Sequence, residues 1–186
     1  MVIYVTNRKL CRDDFLDRID SLAKKKPHAI MLREKDLEPV EYESLAGKVK
    51  EICEKNGVRL IVNGCMVAAS KLGIPCIHLS MADLRLHAAG LACFKSVGAS
   101  VHTASEAREA QDLGASYLIA GHIFPTDCKK GVPPRGLSFL EEVCGSVTVP
   151  VFAIGGITKD RMEAVMGTGA KGICLMSEAM TCRNIP

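Results

Sequence analysis

Short apolar runs alternate with longer amphipathic stretches from one end of the chain to the other. Val2 to Thr6 reads as a strand. Asp13 to Lys25 reads as a helix, because Phe15, Leu16, Ile19, Leu22 and Ala23 recur at a spacing that puts them on one helical face. Pro27 closes that helix, and Ala29 to Arg33 is a second strand. Pro39 to Lys55 follows as a helix with Leu45, Val49, Ile52 and Cys53 on one side, ended by Gly57. The alternation then repeats, with strands over Val58–Asn63, Pro75–Leu79, Phe94–Val101, Tyr117–Ala120, Val149–Ile154 and Lys171–Met176. Between them the pattern predicts helices over Met66–Leu72, Leu84–Gly90, Ser105–Leu113, Leu137–Cys144 and Asp160–Met166, and a last helical turn from Ser177.

Strands this continuously apolar belong in a parallel sheet buried on both faces, with the helices packed outside it. Eight strand–helix units close as an α/β (β/α)8 TIM barrel, a compact single domain over residues 1–186. An open doubly wound sheet would hold 186 residues more comfortably, since barrels of this kind usually run to about 200 or more. The polar residues favour the barrel. Arg33 and Lys35, Asn63, His78 with Asp83, Ser100 with His102, His122, Gly155-Gly156 and Ser177 all fall at or just past strand carboxyl ends. A barrel brings those ends to one mouth, whereas an open sheet spreads them along an edge.

Composition narrows the classes. The net charge is +3, from 24 basic and 21 acidic side chains spread along the chain, which is no electrostatic footprint for nucleic acid or an anionic membrane. No stretch is long and apolar enough to span a bilayer, and the first residues enter a strand pattern without a leader-like apolar region. The nine cysteines stand singly with no Cys-x-x-Cys pair, so the expectation is a reducing, cytoplasmic setting in which most are small core hydrophobes. A homodimer through helical faces is compatible with the sequence, but no stretch marks an interface.

The densest chemistry lies from Gly121 to Gly136, where His122, Thr126, Lys129, Lys130 and Arg135 share a segment too rich in Gly and Pro for regular structure. The same composition also suits a solvated basic loop. Gly155-Gly156 past the seventh strand and Met176-Ser177 past the eighth are where barrels commonly hold phosphate, although two glycines also suit a tight turn. Arg33 and Lys35 can meet a second anion, provided an anion or Glu34 offsets their mutual repulsion. Among the histidines, His78 between Ile77 and Leu79 is expected as a buried structural residue, while His122, opening the polar loop, suits a one-base proton shuttle. No metal-ligand spacing of the His-Glu-x-x-His kind occurs, and Asp83 alone is thin support for magnesium.

Seven marks in register, over nearly the whole chain, resemble the superfamily of thiamine phosphate synthase and thiazole tautomerase (TenI). They are Leu-Arg-Glu-Lys at 32–35, Val-Asn at 62–63, His-Leu-x-x-x-Asp at 78–83, Gly-x-Ser-x-His at 98–102, Pro-Thr-x-x-Lys at 125–129, Ala-Ile-Gly-Gly-Ile at 153–157 and Met-Ser at 176–177. The resemblance implies a (β/α)8 barrel that binds a small thiazole phosphate. Gly155, Gly156, Met176 and Ser177 would hold the phosphate, and Arg33, Lys35, Asn63, Ser100, His102, Thr126 and Lys129 would line the substrate.

Two branches of the superfamily differ at residues that can be read here. The synthase pattern has glutamine where this chain has Met31, an aspartate where it has Gly64, and Gly-Gln where it has Ser80-Met81, so only Asp83 survives of the magnesium pair. The run Gly-His-x-Phe-x-Thr-Asp-Cys-Lys-Lys-Gly at 121–131 looks like the tautomerase branch. That likeness implies His122 as the acid–base residue in aromatisation of a carboxythiazole ethyl phosphate tautomer, with no cofactor or metal. The alternatives are a synthase that uses magnesium to join hydroxymethylpyrimidine pyrophosphate to thiazole phosphate, and a non-catalytic barrel that binds a phosphorylated regulator.

Overall fold

The computed structural model describes residues 1–182. Eight strands, β1 (Val2–Val5), β2 (Ala29–Leu32), β3 (Leu60–Asn63), β4 (Cys76–Leu79), β5 (Ser96–Val101), β6 (Tyr117–Gly121), β7 (Val151–Ile154) and β8 (Gly172–Leu175), run in chain order around a closed barrel. The pairs β1–β2, β2–β3, β3–β4, β5–β6, β6–β7 and β7–β8 are parallel. This is the (β/α)8 TIM barrel expected from the alternation, and the open-sheet alternative is set aside. Among the described residues eight α-helices follow the strands: α1 (Phe15–Lys24), α2 (Pro39–Lys55), α3 (Met66–Lys71), α4 (Met81–His87), α5 (Ala104–Asp112), α6 (Gly136–Ser146), α7 (Met162–Gly167) and α8 (Ser177–Thr181).

Contacts gather the chain into two compact units, one of Met1–His78 with the chain from Leu175 onward, the other of Leu79–Cys174. In the first, Asp14 caps α1 by accepting from the N–H groups of Leu16 and Asp17. The helix buries Ile19, Leu22 and Ala23 completely, and each of the two larger side chains contributes about 2 kcal/mol of transfer free energy. Arg18 on the same helix is buried too, its guanidinium paired with Asp13 and donating to the Cys182 carbonyl at 2.9 Å past the end of α8. Pro39 occupies the first turn of α2, and the Glu41 carboxylate accepts the orphan Glu38 N–H at 3.2 Å. Gly57, at φ 61°, turns the chain out of α2 and into β3.

In the second unit β5, β6 and β7 are registered so that Ser100 lies beside Ile119, and Gly121 beside Ile154. Tyr117 meets Phe152 edge-on, with centroids 6.0 Å apart, and its ring lies over Gly98. A Cβ at Gly98 would stand 2.5 Å from Tyr117 Cε1, so glycine is required there for the ring to pack.

Two expectations shift. The fourth helix starts at Met81, not Leu84, because Ser80 caps it by accepting from the Asp83 N–H, and a 3-10 stretch from Ala88 to Cys93 takes over where the helix was expected to continue. The cysteines are less buried than expected: Cys53, Cys76 and Cys174 are core residues, Cys93 and Cys128 are exposed, and the other four are half-buried. All nine are free thiols, and burial pushes the Cys53 thiol up to about 12.

Candidate functional site

In the second unit β6 delivers Gly121 and His122 to the head of the long loop, joined by a cis peptide. The loop begins by extending the strand ladder onto the end of β7: the N–H groups of Ile123 and Phe124 donate to the carbonyls of Ile154 and Gly155, each at 3.0 Å. It ends by folding back on its own start, where the N–H groups of Arg135 and Gly136 donate to the carbonyls of His122 and Ile123 at 3.0 Å. Between these seams lie Thr126, which caps the short 3-10 turn Asp127–Lys129, and the exposed Lys129 and Lys130, the latter 3.5 Å from Asp127.

Past β7 the glycine pair shows why it is a pair. Gly155 and Gly156 have φ of 103° and 62°, a region where a side chain is strained. A Cβ on Gly155 would stand 2.8 Å from His122 Cα, and one on Gly156 would stand 2.9 Å from both Cβ and the carbonyl oxygen of Phe124. The turn therefore seats the loop that carries His122.

Two histidines meet this seam. The His102 ring places Nδ1 2.8 Å from the Gly121 carbonyl oxygen. A carbonyl can only accept, so Nδ1 carries the proton and Nε2 holds the lone pair of the neutral ring. Its backbone is fixed as well, since its N–H donates to Glu106 at 2.7 Å and Thr103 caps α5. His122 is only 7% exposed and places Nε2 3.2 Å from the Val132 carbonyl oxygen, so its neutral lone pair is at Nδ1. Ser100 lies on β5, half-buried. Asp83 is half-buried and helps to start α4: Ser80 donates its hydroxyl to Asp83 Oδ2 at 2.6 Å.

The first unit holds the other expected residues. Glu34 is 3% exposed, and its carboxylate accepts from the Thr6 hydroxyl at 2.6 Å and from the Arg8 N–H at 3.0 and 3.1 Å. Thr6 in turn accepts from the Arg33 N–H at 3.0 Å. The Arg8 guanidinium pairs with Asp36, and that contact, with Lys9 second, pulls the Asp36 carboxyl down to about 2. Glu34 thus spends its carboxylate on Thr6 and Arg8 and ties the end of β2 to the segment after β1. Asn63 is set by Tyr42, whose hydroxyl donates to the Leu32 carbonyl at 2.7 Å and accepts from the Asn63 N–H at 3.2 Å. Burial pushes that phenol's pKa up. The Asn63 amide also lies 3.9 Å from the Met31 sulfur, the position where the synthase pattern has glutamine. Met176 and Ser177 are half-buried at the start of α8.

Within the second unit the structure therefore brings together His102, His122 and Gly155-Gly156, with Thr126 and Lys129 on the loop between the seams. Within the first it links Arg33 to Glu34, and Asn63 to Met31. Sequence reasoning missed Glu34 as a buried clamp, Tyr42 as the hinge of Asn63, and Arg161, whose guanidinium donates to the Gly156 carbonyl at 2.7 Å. Glu34 was legible only as a possible counter-charge between two cations; Tyr42 and Arg161 carry no local signal. Among the described residues no group of three or more His, Cys, Asp or Glu side chains is placed to hold a metal ion, and no helix is long and apolar enough to cross a membrane.

A parallel (β/α)8 barrel with polar, glycine-rich loops past its strand carboxyl ends belongs to the class that builds active sites at that end. Comparison with known proteins narrows the class. The profile of the TMP-TENI family, described as thiamine monophosphate synthase, matches residues 2–179, and the chain belongs to this family. It is 33% identical over 184 residues to thiamine-phosphate synthase 2 of Streptococcus pneumoniae, covering 97% of this chain and 88% of that protein. It is 34% identical over 187 residues to the thiamine-phosphate synthase of Enterococcus faecalis, covering 99% and 88%. A solved thiamine phosphate pyrophosphorylase from Pyrococcus furiosus superimposes with a TM-score of 0.84 at 27% identity, over 99% of this chain and 89% of that one. These names fit the synthase alternative better than the tautomerase reading that the loop motif first suggested.

Proposed function

We propose that this protein is a thiamine phosphate synthase of thiamine biosynthesis, which joins hydroxymethylpyrimidine pyrophosphate to a thiazole phosphate. The observation that carries the reading is the family likeness across 97–99% of the chain to proteins named for that activity. In this reaction the thiazole nitrogen forms a bond to the pyrimidine methylene carbon, the carbon–oxygen bond breaks, and pyrophosphate leaves with the electron pair. The developing charge on the leaving group is what the protein must stabilise. Arg33 and Lys35 in the first unit and Lys129 in the second are the cations that the chain offers for it. In the second unit Ser100, His102 and Thr126 would face substrate and Gly155-Gly156 the thiazole phosphate; in the first, Asn63 would face substrate and Met176-Ser177 the phosphate.

The family reaction implies magnesium, which when bound would neutralise pyrophosphate oxygens. Asp83, half-buried with Oδ2 accepting from the Ser80 hydroxyl at 2.6 Å, would be its one protein carboxylate, with waters and substrate phosphates as the other partners. Gly64 supplies no second carboxylate.

A specific observation favours thiazole tautomerase as a second reading. The departures from the synthase pattern, at Met31, Gly64 and Ser80-Met81, all touch the pyrimidine and metal half, while the thiazole half is kept together with His122. The Val132 carbonyl holds His122 in the tautomer with a basic Nδ1. That atom could take the ring proton and return it to the exocyclic carbon, with no metal. The burial of His122 requires the loop to open for that step, and it is also what would suit a silent, ligand-binding barrel.

One comparison separates the readings. Thiazole phosphate, pyrimidine pyrophosphate and magnesium are supplied in one arm, and thiamine phosphate is measured by chromatography. In the other, the carboxythiazole phosphate tautomer is followed by ultraviolet absorbance without magnesium, for wild type and His122→Ala. Magnesium-dependent thiamine phosphate supports the synthase. Its absence, with aromatisation that the variant loses, transfers the assignment to the tautomerase. Neither product, with thiazole phosphate still bound, leaves the regulatory barrel.

A further inference from the structure

Arg161, which ends the 3-10 turn Lys159–Arg161 ahead of α7, touches both halves of the seam described above. Its guanidinium carbon lies 4.8 Å from the centroid of the Phe124 ring, and its NH1 donates to the Gly156 carbonyl at 2.7 Å. Phe124 is therefore held from two sides, by the glycine turn against its backbone and by the guanidinium over its ring. Gly155 offers no side chain to fill the gap and can only accept the loop through its backbone. We infer that Arg161 is a positioning residue that locks the glycine turn after β7 to the loop carrying His122, Thr126 and Lys129.

The chemistry needs this residue type. A planar cation can stack on an aromatic face and at the same time direct a fixed N–H at a carbonyl. Lysine can satisfy one of these contacts but not both in the same geometry. A neutral unbranched side chain such as methionine can cover Phe124 but cannot donate to the Gly156 carbonyl. The inference rests on the proposed thiazole phosphate site only for its consequence in turnover; the lock itself is a property of the loops.

The test is amide hydrogen exchange on the full chain for wild type, Arg161→Lys and Arg161→Met, read at Phe124, Arg135 and Gly136, whose N–H groups form the seams. Exchange at Leu118 and Ile119 inside β6 is the control for global stability. The expected result is at least about tenfold faster exchange at the three seam amides in Arg161→Met, with the β6 amides unchanged and Arg161→Lys in between. In the reaction that the wild type performs, turnover should fall more than thiazole phosphate affinity, because the loop is misplaced while the turn still offers its N–H groups. Seam amides that exchange as in wild type would overturn the inference, and so would seam and β6 amides that accelerate together, which would mark a merely structural role. If the wild type performs neither thiazole reaction the functional reading fails, and the exchange comparison still decides the lock.

Discussion

His78 sits on β4 beside Asn63, is 2% exposed, and gives its carbonyl to the Gly64 N–H at 2.9 Å. Burial is the cause that pulls its imidazole down to about 3, from the ordinary value near 6.5. The folded protein therefore keeps this ring neutral where the unfolded chain would protonate it. Between those two values the unfolded state binds the extra proton, so stability falls as the pH falls from about 6.5 towards about 3. Each unit of pH in that window removes roughly 1.4 kcal/mol, which amounts to about 2 kcal/mol at pH 5 and about 3 kcal/mol at pH 4. A small barrel with a total stability of roughly 5–15 kcal/mol feels that loss. The assay is urea unfolding at pH 7, 6, 5 and 4 for wild type and His78→Gln, comparing midpoints and slopes. Other titrating groups, the partly buried His28 among them, are shared by both proteins and cancel in the difference. The wild type should lose its advantage over the variant steadily below pH 6.5. A stability difference that stays constant from pH 7 to pH 4 would refute the argument, as would a His78 ring signal titrating near 6.5 in the folded protein.

Removing the buried carboxylate in Glu34→Ala should destabilise the protein by about 2–3 kcal/mol, since the Thr6 hydroxyl and the Arg8 N–H lose a charged acceptor. Glu34→Gln should recover part of the loss, and urea midpoints at neutral pH measure both. Gly121→Ala would place a Cβ 2.5 Å from the Ile154 carbonyl oxygen and 2.5 Å from its Cγ2. Because one of those atoms is backbone and cannot rotate away, the expected cost is about 1–3 kcal/mol. The change should also perturb the neighbouring His102 and His122 ring signals in nuclear magnetic resonance spectra. A variant as stable as wild type with unchanged histidine signals would show that the β6–β7 seam tolerates the added methyl.

The barrel was legible because periodicity is local. The stripe Phe15, Ile19, Leu22 declares α1 without reference to any other element, and continuous apolar strands declare burial on both faces. The start of α4 was misplaced for an equally local reason, a cap at Ser80 that was not recognised. Candidate site residues were legible by type and by position past strand ends. Their partners were not, because a hydrogen bond between Thr6 and Glu34, or a ring under Arg161, depends on where two distant segments come to rest.

The sequence by itself determined the (β/α)8 architecture, the family, and the set of polar residues offered past the strand ends, since each follows from spacing or motif. Only the tertiary structure decided what those residues are committed to. Glu34 is consumed in a buried clamp, His122 is turned towards Val132, and the glycine pair is pressed against the loop before it. Burial and directional hydrogen bonds, which are settled only when the strands and loops pack, select one partner among the many that composition allows.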